Sequence, residues 1–491
     1  MKVVIVGGGS SGWMAASILT RLMNQQLDIT LVESEQVGTV GVGEATIPPI
    51  THFNRVLGIS EAEFLKQTQG SIKLGIEFSD WYQPGQSYMH AFGQIGKNMG
   101  LAGFHHNWLK AKSEGQGGDF WDYSLNYQAA KANKFTHLNT IPNTQLQGLV
   151  QAYHLDAGLY AAYLRQLSEK QGVKRVEGFV ESVTLVPETG FIDSLVLQSG
   201  QKIQGDLFID CSGFRGLLIE GALKTGYEDW RHWLPCDRAL AIPSEKLDPL
   251  PPYTRSIAHN AGWQWQIPLQ HRTGNGLVYC SDYLSDEQAQ ELLLKNLSSD
   301  PLAEPKPIRF TTGRRVKQWH KNCVALGLSS GFLEPLESTS LHMVQSGLVR
   351  LIKLFPQNGI SPVDVEEYNR QSKVEFERIR DFIILHYVLN NRPEAFWQRC
   401  RTMPIPDSLA HKIELFREGG KVFREQDELF TEVAWYQVMI GQGLLPQKYH
   451  PLADSLTTEQ QADLLTGLKT LIDRTVQQLP THQSFLDKIM A

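Results

Sequence analysis

The chain has 491 residues, 42% hydrophobic and 20% charged, a balance that belongs to globular proteins and excludes a disordered or fibrous chain. At ~150 residues per domain, the length allows about three domains or one large α/β unit with an appendage. A net charge of −6 argues against nucleic acid as a partner, which would call for a basic face. The five cysteines (Cys211, Cys236, Cys280, Cys323, Cys400) are scattered and include no CxxC. A disulfide scaffold or a zinc site is therefore not expected, no metal is assigned, and a reducing, cytoplasmic setting is expected. No stretch approaches ~18 uninterrupted apolar residues, so no transmembrane helix and no membrane partner are expected.

Residues 2–6 (Lys-Val-Val-Ile-Val) read as a strand buried on both faces. The glycine-rich run 7–12 breaks the apolar N-terminus, so a signal peptide is the weaker reading. Helical composition follows from Trp13 to Met23, then a second strand from Asp28 that ends at Glu33. Residues 206–210 form a further strand running into Cys211-Ser212-Gly213. Around 256–268 the pattern alternates, with Trp263, Trp265 and Ile267 on one face and Gln264 and Gln266 on the other. Ser361-Pro362 has the form of a helix start, and residues 457–477 read as an amphipathic helix. His105-His106 lacks metal spacing and reads as loop or surface. A mixed α/β body over 1–345 and a mainly helical part over 346–491 follow.

Gly7-x-Gly9-x-x-Gly12 sits between strand and helix, and Glu33 closes the next strand 21 positions after Gly12. Such glycines serve a tight turn, close approach to a pyrophosphate and helix–strand packing, while the acid accepts from ribose hydroxyls. The fingerprint alone leaves FAD and NAD open. Asp210-x-x-Gly213 resembles the second flavin-contacting motif of glutathione-reductase-like flavoproteins, which favours FAD.

Three further segments narrow the chemistry: Gly41-Val42-Gly43-Glu44-Ala45-Thr46-Ile47-Pro48 with the later Lys73, then Trp263-Gln264-Trp265-Gln266-Ile267-Pro268, then Pro335-Leu336-Glu337-Ser338-Thr339. With the fingerprint they resemble the flavin-dependent halogenases of the tryptophan halogenase family, in the family's order and from residue 1 to about 450. The resemblance implies a glutathione-reductase-like, Rossmann-type FAD body with a mixed-sheet substrate insert. It places FAD, used as FADH2, against Gly7, Gly9, Ser10, Ser11, Gly12, Trp13, Glu33, Ala45, Thr46, Val180, Leu328 and Leu341. Chloride or bromide and O2 are the implied co-substrates, with the halide at Thr339 and Ser340. Many members carry Gly where this chain has Ser340, which bears on halide preference.

Lys73 lies among Ile72, Leu74 and Ile76, and a lysine drawn into apolar surroundings suits a nucleophile or a polarising donor. The resemblance makes it the group that handles hypohalous acid, and makes Glu337 rather than Glu334 the carboxylate that assists proton loss from the ring; a helix-capping role for Glu337 is the alternative. Trp263 and Trp265 would form a wall keeping substrate from flavin. His90 and Phe92 match the positions that sandwich an indole, and Trp397 belongs to the implied pocket wall. That wall, residues 387–397, looks shortened relative to tryptophan-specific members, so an indole without the amino-acid zwitterion, or another electron-rich arene, is the expected substrate. No second nucleotide module for NADPH is visible, so a separate NAD(P)H-dependent flavin reductase is the expected partner; a homodimer is allowed. The rival readings are an ordinary flavin monooxygenase or dehydrogenase, and a flavin-binding protein without turnover. Oxygenated product without halide dependence would mark the first, and flavin binding without turnover the second.

Overall fold

Four consecutive buried apolar residues, Val3 to Val6, make Lys2–Val6 a central strand. In the computed structural model, which describes residues 1–23, 26–37 and 43–490, this strand lies inside a six-stranded sheet. Its order is Trp319–His320, Cys323–Ala325, Leu207–Asp210, Lys2–Val6, Asp28–Glu33, Lys174–Glu177. Val4 pairs in parallel with Phe208 on one side and Thr30 on the other. The helix Ser10–Met23 crosses between the first two strands in sequence, three residues longer at its start than its composition suggests. This is the expected βαβ opening, and the glycine turn sits at the carboxyl end of the central strand, where open α/β sheets bind ligands.

The chain forms two compact units. The first comprises residues 1–70, 155–238 and 307–377; the second comprises 71–154, 239–306 and 378–491. The expected division at 345 falls inside the helix Ser340–Lys353, which belongs to the first unit. That helix buries Leu341, Val344, Leu348 and Leu351 along one face, a stripe that a break at 345 would divide.

In the second unit the strands Arg238–Ser244, Thr273–Tyr279, Gly262–Pro268, Thr254–His259, Gly75–Ser79 and Ser87–Ala91 lie side by side in that order, the last at the sheet edge. Every residue of Gly262–Pro268 is buried. The alternation in this strand therefore does not separate core from solvent. Gln264 and Gln266 are covered, donating to the Asn296 carbonyl at 3.3 Å and to Ser298 Oγ at 2.8 Å. The other face carries Trp263 and Trp265, ring centroids 6.2 Å apart. Gly276 faces Trp265 across the ladder, and a Cβ there would lie 2.1 Å from the indole.

Pro362–Val388 starts at the expected Pro362, and Thr458–Gln478 opens with a capping box from Thr457 and Gln460. His105 and His106 correct the surface reading: they are buried on the helix Phe104–Ser113. His105 Nε2 lies 2.7 Å from the Gly420 carbonyl, and His106 Nδ1 accepts the His450 N–H at 3.2 Å. Burial, with the neighbouring His106, pushes His105 down to about 3; burial, with His450 and Lys421, pushes His106 down to about 4.

These shifts set an acid limit. The unfolded chain protonates both rings near their ordinary pKa of about 6.5, whereas the folded chain holds them neutral. The unfolded state thus binds more protons below that pH, so stability is fully present above it and falls as pH drops from about 6.5 towards 4. Melting temperatures measured from pH 8 to pH 4 should be level at first and then decline, and His106→Gln should make the decline shallower. A flat profile down to pH 5 would contradict this.

Among the described residues, no helix is long and apolar enough to cross a membrane.

Candidate active site

The first unit carries the glycine turn. Gly7 adopts φ +115°, and a Cβ there would lie 2.2 Å from the Cys211 carbonyl oxygen. A Cβ on Gly12 would lie 1.8 Å from the Gly7 oxygen, so Gly12 lets the helix seat against the turn. Gly9 is different, for a Cβ there meets nothing within 4 Å. Two glycines are therefore closed against protein and one opens onto free space. That is what a cradle for a pyrophosphate requires, since the first amides of the helix Ser10–Met23 also lack helical acceptors.

Ser10 Oγ donates to the Ala157 carbonyl at 3.3 Å. Ser11 stands beside Gly327, where a Cβ would fall 2.3 Å from its Oγ, so the short turn Gly327–Ser329 bearing Leu328 lies against the helix start. Trp13, Ala45, Thr46, Val180 and Leu341 are all buried. Gly41 and Val42 lie outside the described residues. Glu33 sits beside the turn, its carboxylate close enough to overlap a Cβ on Gly8. It pairs with Arg175 and, at 3.7 Å, with Arg165. These residues fit a dinucleotide.

Asp210, which opens the second motif, is held by the chain around it. Its Oδ1 accepts from the Ser212 amide at 3.0 Å and hydroxyl at 2.6 Å, and its Oδ2 from the Leu218 and Ile219 amides at 2.8 and 2.9 Å. The carboxylate caps the helical segment Leu217–Ala222, and these four bonds occupy it within the protein.

The run 334–340 follows the strand Gly331–Phe332. Glu334 and Glu337 are both buried, flanking or within the short turn Pro335–Glu337. Ser338 adopts φ 58°, and Thr339 is the N-cap of the 14-residue helix Ser340–Lys353. The Thr339 side chain makes no capping bond, which leaves the positive end of that helix suited to an anion.

The second unit carries the lysine. Lys73 ends the strand Ser71–Lys73 with no exposed surface, and its Nζ stands 5.4 Å from the centroid of the Phe92 ring. Phe92 is brought there because its amide donates to the Leu74 carbonyl at 2.9 Å. His90 pairs with Ile76 on the same edge strand, and its ring lies 5.7 Å from Phe382 and 6.2 Å from Phe430. The structure thus brings Phe92 to Lys73, with His90 two residues before Phe92. Trp397 sits in another cluster, stacked on Tyr387 at 5.6 Å and edge-on to Trp81 at 5.3 Å, with Nε1 donating to the His259 carbonyl.

Two histidines that the sequence reading passed over hold the lysine strand. The Ser71 hydroxyl donates to the Pro268 carbonyl at 2.6 Å, so its oxygen accepts from His154 Nδ1–H at 2.9 Å, while His154 Nε2 accepts from the Thr254 hydroxyl at 2.9 Å. His482 Nε2 accepts the Ile72 amide at 3.2 Å, and its Nδ1–H donates to the Leu250 carbonyl at 2.9 Å. Both rings are therefore neutral Nδ1–H tautomers. Burial, reinforced by the Lys73 charge, holds His154 well below its ordinary value, and burial pushes His482 down to about 4.

Residues 2–458 match the tryptophan halogenase family. The chain belongs to that family. Over its whole length it is similar to a flavin-dependent halogenase from Xanthomonas campestris, Xcc4156, at 50% identity and TM-score 0.96, covering 99% of this chain and 98% of that one. It is likewise similar to BrvH, a flavin-dependent halogenase from Brevundimonas sp. BAL3, at 45% identity and TM-score 0.96, covering 100% and 99%. Tryptophan 6-halogenase SttH from Streptomyces toxytricini is 33% identical across 99% of this chain and 97% of its own. The protein is a flavin-dependent aromatic halogenase with an FAD-binding Rossmann-type body, using FADH2, halide and O2. Halogenases of this kind generally take FADH2 from a separate flavin reductase and act on small aromatic substrates.

Proposed function

We propose that this halogenase acts on a free indole or a similarly electron-rich arene, with Lys73 presenting the electrophilic halogen and Glu337 assisting loss of the ring proton. The observation that carries the reading is Lys73, a fully buried cation set over the Phe92 ring on a strand pinned by two neutral imidazoles. Reduced FAD, when bound, supplies with O2 and halide the hypohalous acid that the reaction consumes. The glycine turn and Glu33 bind the dinucleotide, and the uncapped start of Ser340–Lys353, at Thr339 and Ser340, binds the halide. Either the Lys73 ammonium donates a hydrogen bond to the hypohalous oxygen, which leaves as water when the X–O bond breaks, or the neutral Lys73 amine exchanges a proton for the halogen with loss of water. A ring held by His90 and Phe92 takes that halogen. Glu337 is a buried carboxylate, the type of group that can stabilise a cationic ring and take its proton. The scattered cysteines, none in a CxxC, support a cytoplasmic setting.

The choice of indole over tryptophan rests on polar groups that are already engaged. Arg392 pairs with Glu394 and donates to the Asp80 carbonyl, and Asn390 bonds the Tyr387 and Trp397 carbonyls. Glu428 is buried between Lys412 and Trp435 Nε1. A zwitterion would need partners of this kind, and leaving its charges half-satisfied costs roughly 1–3 kcal/mol each. The alignments to the curated tryptophan halogenases SttH and RebH run to 516 and 521 positions, more than this chain's 491 residues, so those relatives have segments with no counterpart here. Equal indole and L-tryptophan in one assay should yield haloindole at least ~5-fold over halotryptophan. A preference for tryptophan would overturn this choice.

A further inference from the structure

The edge strand Ser87–Ala91 bears His90 and leads into Phe92, yet among the described residues no strand covers its outer side. Edge groups of this kind must be satisfied by something else. The Met89 carbonyl accepts from Trp121 Nε1 at 2.6 Å. Ala91, the residue between His90 and Phe92, is bound by one side chain at both its backbone groups. Its amide donates to Gln437 Oε1 at 2.9 Å, and its carbonyl accepts from Gln437 Nε2 at 3.0 Å. A primary amide is the side-chain group that can do both at once, taking the place of a neighbouring strand's peptide. Gln437 is itself buried, on the helix Glu432–Gly441. That helix lies close against the same strand, since a Cβ on Gly441 would fall 2.3 Å from the Tyr88 ring. The chain just before the helix supplies Phe430, which stacks on Phe382 at 3.8 Å beside His90.

We propose that Gln437 is a positioning residue that determines arene specificity, its two-bond clamp on Ala91 fixing the rings of His90 and Phe92 relative to the Phe430 segment. The inference rests on the reading of His90 and Phe92 as the arene-holding rings. It adds that their spacing is set from the helix Glu432–Gly441 through a single side chain. Gln437→Leu keeps most of the bulk and removes both bonds. Gln437→Met keeps the length and removes both bonds.

The test uses the full chain with FAD, a flavin reductase, bromide and indole. Both variants should raise KM for indole at least fivefold and change the ratio of bromoindole isomers. FAD affinity should stay within twofold of the parent, and the yield of hypobromite trapped by a soluble scavenger without indole should be unchanged. A general loss of structure would lower all of these together, which would contradict a specificity role. Unchanged KM and isomer ratio in either folded variant would overturn the proposal. His90→Ala and Phe92→Ala separate the two layers. If they raise KM while the Gln437 variants do not, the clamp alone is wrong; if they leave KM unchanged, the arene reading falls and the clamp's role with it.

Discussion

Lys73→Ala should bind FAD as the parent does, still oxidise FADH2 in the presence of halide, and lower halogenated product by ~10³-fold or more, the scale expected when a group acting on the reacting atoms is lost. The glycine turn and Glu33 belong to the first unit, whereas Lys73 belongs to the second, so the substitution leaves the residues assigned to the dinucleotide untouched. What it removes is a buried ammonium beside the Phe92 ring. Lys73→Met serves as the packing control, because it restores the side-chain length without the nitrogen. It should be as inactive as the alanine variant while melting closer to the parent. Halogenation by either variant at the parent's rate would show that the halogen is delivered by another route.

Gly9→Val and Gly12→Val should both empty the flavin site, for different reasons. A side chain on Gly9 meets no protein atom within 4 Å, so the variant should fold with a melting temperature within ~2 °C of the parent. Its cost should appear as a loss of FAD affinity of ~100-fold or more, because the valine occupies the space left for the pyrophosphate. A side chain on Gly12 meets the Gly7 oxygen at 1.8 Å, so the helix must move off the turn, and a destabilisation of roughly 3 kcal/mol or more is expected. Titration with FAD beside thermal melting separates the two effects. Full FAD occupancy in Gly9→Val would contradict the cradle assignment.

What could be read from the sequence was what is encoded locally. The central strand, the glycine turn and Glu33 lie within 33 residues, and each announces itself by its own pattern. Ser361-Pro362 and Thr457 with Gln460 announce helix starts in the same way. The errors arose where a distant segment decides the environment. His105 is buried because its ring meets the Gly420 carbonyl, 315 positions away. Gln264 and Gln266 do stand on the face opposite the tryptophans, as the alternation predicts, but the segment at 296–298 that covers them has no local signal.

His154 and His482 have no motif of their own, since their roles come from Ser71 and Ile72, 83 and 410 positions distant. Gln437 is an unremarked amide in an apolar helix until Ala91, 346 positions away, is found between its two polar atoms. Asp210 is conspicuous by its motif, but its bonds to the Leu218 and Ile219 amides become visible only once the chain is folded.

Mass spectrometry of indole incubated with the protein, FAD, a flavin reductase, NADH and either chloride or bromide tests the central assignment most directly. Haloindole is the expected main product, carrying the isotope pair of whichever halide is supplied, with none formed when halide is left out. Product that gains an oxygen atom and does not depend on halide would contradict it.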